Sequence, residues 1–129
     1  MRAARWMRRR SRSAHEAAIE VLDQARSFME PRFSKEFACL VSRALREYIE
    51  ARFGVHALLR TTPEIIERLR RVPEPAVLER CDRLRDLLEH CDRARIGDGG
   101  LSGGQIEAIH LWAWGFVGMT RDSRSARAS

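Results

Sequence analysis

Residues 33–54 read FSKEFACLVSRALREYIEARFG, and the spacing within them decides the fold. Phe33, Phe37, Leu40, Val41, Ala44, Leu45, Tyr48, Ile49 and Phe53 return at steps of three and four over about five turns, the apolar stripe of an α-helix. Gly54 follows where a left-handed terminating residue belongs. So long a helix with so marked a stripe is expected at the centre of the core.

Working outward, four more helical segments can be read and no strand. Ser13, with Glu16 three residues on, forms a capping box that opens a helix over Ala14, Ala17, Ala18, Val21, Leu22, Ala25, Phe28 and Met29, ended by Pro31. Thr61-Thr62-Pro63-Glu64 is a start signal, with Pro63 read at the first helical position, and the short helix beyond buries Ile65, Ile66 and Leu69. After Val72-Pro73-Glu74-Pro75 a fourth helix runs from about Ala76 to Arg93, with Val77, Leu78, Cys81, Leu84, Leu87, Leu88 and Cys91 facing inward. Ser102 and Gln105 cap a fifth, whose inner face is Ile106, Ile109, Trp112, Ala113, Phe116 and Val117. The echo of Glu-x-Cys-Asp-Arg-x-Arg at 79–85 and 89–95 does not share a helix face, since ten residues fall about 80° short of three turns.

The chain has 129 residues and a formal net charge of +6. Residues 1–12 carry six Arg and no acid, and residues 121–129 three Arg against one Asp. Between them 15 basic residues face 17 acidic ones, a net −2, so a basic nucleic-acid-binding face is not expected on the body. Lys35 is the one lysine among 24 basic residues, a bias that reads as genomic composition. Three cysteines (Cys39, Cys81 and Cys91) without a secretory signal before them predict reduced thiols in the cytoplasm. No stretch approaches the roughly 18 apolar residues of a membrane span; the longest run is Leu111 to Met119.

Several motifs invite chemistry and do not sustain it. Leu101-Ser102-Gly103-Gly104-Gln105 matches the LSGGQ signature of ABC-transporter ATPases, but the phosphate-binding loop that signature serves is absent, since Lys35 has no glycines around it. The five residues read as a flexible loop and a helix cap. Cys81, His90, Cys91 and Asp92 contain ligand types for zinc, yet adjacent helical residues diverge by about 100°, and buried cysteines acting as small hydrophobes account for them better. His15, His56, His90 and His110 fall on separate elements with no G-x-S-x-G or H-E-x-x-H pattern, and His110 reads as a packing residue. Trp112 and Trp114 lie about 200° apart on a helix, so if Trp112 packs inward Trp114 is at a partner surface or laid against the first helix or a tail. The N-terminal tail, with its lone Trp6, suits an anionic membrane surface or a nucleic acid; a transit peptide and a solvated tail without function are the other readings.

Three stretches taken in order resemble a known family. Phe37 to Gly54 is similar to an L-x-x-x-L-R-x-Y-[IL]-E-x-[RK]-F-G helix, Thr61-Thr62-Pro63-Glu64-Ile65 to a T-T-x-E-[FI] helix start, and Leu87 to Arg95 to an L-L-x-x-C-[DE]-x-[AV]-[RK] helix end. These belong to the cytosolic membrane-proximal domain of Bat-type aerotolerance membrane proteins, the BatD-like group encoded beside MoxR-type AAA+ ATPases. That group carries a transmembrane helix upstream of the domain; here the Arg-rich residues 1–12 stand where a juxtamembrane segment would stand. The resemblance implies assembly with MoxR-type ATPases and von Willebrand-type domain proteins at the inner membrane face, and transfers no catalytic residue.

Together these readings predict an all-α fold, a single compact orthogonal bundle of about five helices over 13–120. A basic tail precedes it at 1–12 and a disordered tail follows at 121–129. No catalytic, cofactor-binding or metal-ligating residue is expected. Arg2, Arg5, Trp6, Arg8, Arg9, Arg10 and Arg12 are the candidates for contact with a membrane or other polyanion, and Trp114 for contact with a partner. The expected function is a non-enzymatic helical protein-interaction module at the cytoplasmic membrane face; the alternative is a small nucleic-acid-binding protein using its Arg-rich tails.

Overall fold

The computed structural model describes residues 13–97 and 99–121. All their regular structure is helical: α1 (Ala14–Gln24), α2 (Ser34–Phe53), α3 (Thr62–Leu69), α4 (Pro75–Leu78), α5 (Cys81–Arg95) and α6 (Gly103–Met119). Short 3₁₀ turns at Ala25–Phe28, Pro31–Phe33 and Ala57–Leu59 join them. The expected all-α bundle is present; the predicted tail at 1–12, and that at 121–129 apart from Arg121, lie outside the described residues.

The helix ends follow from local chemistry. Ser13 Oγ accepts the Glu16 N–H at 3.0 Å. Thr61 and Glu64 form a reciprocal capping box, as do Ser102 and Gln105, and each satisfies amides that helix geometry leaves unpaired. Thr61 is the residue just outside α3, so Pro63 occupies the second helical position and not the first. Gly54 ends α2 at φ 73°, with its N–H bonded to the Glu50 carbonyl.

α2 is the axis of the bundle. α1, α5 and α6 all pack on it, and α3 packs on α5. Phe37, Ala38, Val41, Ala44, Leu45 and Ile49 are fully buried. Neighbours on several sides widen the buried arc beyond the apolar stripe. Ala38 and Ser42, outside that stripe, are buried, whereas Phe33, Leu40 and Phe53 at its margins are only partly covered.

The fourth predicted helix is corrected. It breaks at Glu79 and Arg80 into the single turn α4 and the longer α5. Val77 points into the core, but Leu78, expected inside, is 42% exposed. Pro75 starts α4 and the chain re-enters helix only at Cys81, so the two pieces do not share one continuous inner stripe.

Polar clasps hold both ends of α2. At its start Ser34 Oγ accepts the Leu101 N–H at 2.9 Å, fastening the segment before α6. At its end the Tyr48 hydroxyl meets Thr120 Oγ1 at 2.9 Å, and Arg52 donates to the Thr120 carbonyl and to Glu74 Oε1. Leu45→Ala, at the fully buried middle of this axis, is expected to cost about 3 kcal/mol, read as a lowered urea midpoint at unchanged slope.

Candidate functional site

Ser42 and Arg46 sit one turn apart on α2, beside the core face. The Arg46 side chain is only 11% exposed, so its charge has to find partners inside the protein. Nε donates to Ser42 Oγ at 3.0 Å, and Nη1 donates to the carbonyls of Ala57 and Arg60 at 3.0 and 2.6 Å. Nη2 reaches Thr62 Oγ1 at 3.4 Å and the Asp92 carboxylate at 3.6 Å. Thr62 Oγ1 in turn donates to Asp92 Oδ2 at 2.6 Å. Arg95 approaches the same carboxylate at 3.6 Å and donates to Ser42 Oγ at 3.4 Å. One guanidinium thus joins α2, the 3₁₀ turn, the start of α3 and α5. Burial lowers the pKa of Arg46, Asp92 restores part of it, and Arg95 pushes it down further.

Beside this hub an open cleft of about 420 Å³ is lined by Cys39, Ser42, Arg43, Arg46, Leu58, Arg60 and Arg95. The carboxylate partners of these arginines, Glu47, Glu64 and Asp92, are not among its lining residues.

A second feature lies between α5 and α6. There a groove of about 220 Å³ is walled by Leu87, Ile109 and Trp112, with Arg83, Asp86 and His90 on the α5 side. For scale, a cavity of about 150 Å³ holds a benzene ring. The groove continues along the outer face of α6 past Ala108, Leu111, Gly115 and Met119, between Arg80 and Arg83. Leu111 is 75% exposed and Met119 62%.

Trp114 is half-buried against the His110 ring, 5.7 Å between centroids, with the Arg26 guanidinium 5.2 Å from its own centroid. It therefore packs at the turn that prolongs α1, the second of its two expected placements. Trp112, expected inward, is also half-buried; it stacks on Phe116 and walls the groove. Arg2, Arg5, Trp6, Arg8, Arg9, Arg10 and Arg12 lie outside the described residues. The hub arginines were not singled out from sequence, because arginines on a helix read as solvent-facing; the only available signal was a Ser and an Arg one turn apart at the edge of the apolar stripe.

The LSGGQ segment is structural. Leu101 is buried, and Ser102 and Gln105 close the cap of α6. His110 is buried, its Nε2 donating to the Leu22 carbonyl at 2.8 Å, and Cys81 and Cys91 are core residues. Among the described residues no three His, Cys, Asp or Glu side chains gather where a metal could be held. Likewise no described helix is long and apolar enough to cross a membrane. Comparison of the chain with known protein families, curated proteins and solved structures finds no match. The resemblance to the Bat-type group thus rests on the three motifs quoted above.

Cys39 is exposed while Cys81 and Cys91 are buried, so a thiol reagent is expected to label one cysteine in the folded chain and three after unfolding, counted by mass spectrometry. Burial, with some help from Asp92, pushes the Cys91 thiol from its ordinary value of 9.0 up to about 12. Between those values the unfolded chain loses a proton that the folded chain keeps, so stability is retained below pH 9 and falls as pH rises through the window. Urea midpoints should decline there, and the decline should be shallower in Cys91→Ala; an equal slope in both proteins would count against this assignment.

Proposed function

We propose that the chain is a non-enzymatic helical interaction module that docks an apolar helix of a protein partner on the outer face of α6. The observation that carries this reading is the composition of that helix. Gly103–Met119 contains one formally charged residue, Glu107, and is apolar nearly all the way round, the pattern of a helix covered on every side. Among the described residues α1 and α2 pack on its inner face, and Leu111, Gly115, Gly118 and Met119 stay exposed.

The glycines of α6 support the same reading. A Cβ placed on Gly115 or Gly118 would meet nothing within 4 Å, so packing among the described residues does not demand them. Each nevertheless costs roughly 0.5–1 kcal/mol relative to Ala in a helix. A partner backbone lying close against Leu111, Gly115 and Met119 gives them a purpose. The α5–α6 groove then receives one large apolar side chain, and Arg80 and Arg83 favour an acidic flank on the partner.

Location at a membrane face is the second part of the proposal. The Arg-rich residues 1–12 and the Bat-type resemblance support it, and the resemblance supplies the partner class, MoxR-type ATPases and von Willebrand-type domain proteins. Nucleic-acid binding through the tails is the rival reading.

Three outcomes are expected. Gly115→Ala should stabilise the isolated chain by about 0.5–1 kcal/mol in urea while weakening docking. Wild-type chain should co-elute with a co-expressed MoxR-type ATPase from the same genome and Leu111→Asp should not; equal behaviour of the two proteins would reject the α6 face. Full-length chain should sediment with anionic vesicles more strongly than a chain starting at Ser13. Equal sedimentation would remove the membrane role of the tail, and salt-sensitive binding to DNA that needs both tails would favour the rival.

A further inference from the structure

The geometry points to a binding site for a phosphate-class oxyanion in the cleft formed by Ser42, Arg43, Arg46, Arg60 and Arg95, with Cys39 in its wall. This site is separate from the α6 face and does not depend on the docking proposed there.

Charge is the first argument. Four guanidinium groups line one cleft, and no described carboxylate lines it with them. Glu47 and Glu64 each hold their arginine from one turn further along the same stretch of chain, at 3.2 and 3.7 Å. Asp92 is shared between Arg46 and Arg95, at 3.6 Å from each. Like charges crowded in this way leave the cleft positive, although the body of the protein is net negative.

Unused donors are the second argument. Arg60 Nε is shut off from solvent and has no acceptor among the described residues. Buried donors are nearly always paired, so this guanidinium gains by turning toward an acceptor in the cleft. The Ser42 hydroxyl accepts from both Arg46 and Arg95, and among the described residues it donates to nothing. Arg46 itself is committed to the Ala57 and Arg60 carbonyls, so it positions the cleft and adds charge. Arg43, Arg60 and Arg95 keep N–H groups to offer a ligand.

Donors drawn from three elements, Arg43 on α2, Arg60 at the turn and Arg95 on α5, select the ligand. They suit a tetrahedral oxyanion, which presents acceptors in several directions, better than a planar carboxylate. That phosphate could belong to a soluble ion or ester, or to a lipid headgroup. Leu58, Leu59 and Ile96, which are 47%, 88% and 78% exposed, adjoin the arginines as apolar residues beside a headgroup site do.

Cys39 serves as the reporter, since it lines the cleft and is the exposed thiol. In the full-length chain, inorganic phosphate should slow alkylation of Cys39 by neutral iodoacetamide several-fold relative to chloride at equal ionic strength. Arg43→Ala and Arg60→Ala, whose side chains are partly exposed, should each raise the half-protecting concentration about tenfold or more, with melting curves confirming the fold. Arg71→Ala, at an exposed pair with Glu67 that does not line the cleft, should protect like wild type. Vesicles containing phosphatidic acid form the second arm. Protection by vesicles with none from equal inorganic phosphate assigns a headgroup, and equal protection by phosphate alone assigns a soluble ligand. No protection in either arm, or undiminished protection in both arginine variants, would overturn the site.

Discussion

A buried positive charge organises this protein. Arg46 is withdrawn from water at the side of the central helix, and a guanidinium so placed must be met by acceptors or the fold pays its full desolvation cost. The acceptors come from four parts of the chain: a serine on its own helix, two carbonyls of the connecting turn, a threonine at the next helix start, and an aspartate from α5. The turn at 57–60 packs on α2 through the buried Ala57, and the hydrogen bonds from Arg46 to the Ala57 and Arg60 carbonyls help to hold it there. Apolar packing brings the helices together, and this network fixes how the loop and α3 are seated against them.

Much of the fold was legible because it rests on local chemistry. The stripe from Phe37 to Ile49, the left-handed Gly54 and the capping pair of Ser102 and Gln105 each appear where spacing and side-chain type place them. The errors lie where tertiary context overrides spacing. Leu78 satisfies the helical period of a continuous segment, but the backbone leaves helix at Glu79–Arg80 and the period restarts. The arginine cleft was harder to see, because its members come from α2, the turn and the end of α5, and no sequence window holds them together. The apolar run over Leu111–Met119 was visible; that half of it stays uncovered is a property of the assembled bundle.

The two surface features differ in physical character. The outer face of α6 is apolar, lightly charged and smoothed by glycine, so a partner docked there would be held chiefly by hydrophobic contact. The arginine cleft is cationic and polar, and whatever it holds is exchanged against counterions. They are built from different elements, so a change at one need not disturb the other.

The Leu22–His110 and Tyr48–Thr120 hydrogen bonds span 88 and 72 residues, and both depend on the last helix. The faces of α1 and α2 that receive α6 stay bare until it docks, and α6 is itself the most apolar of the longer described helices. The bundle therefore closes through one long-range step, and such pairing is slower than the joining of sequence neighbours.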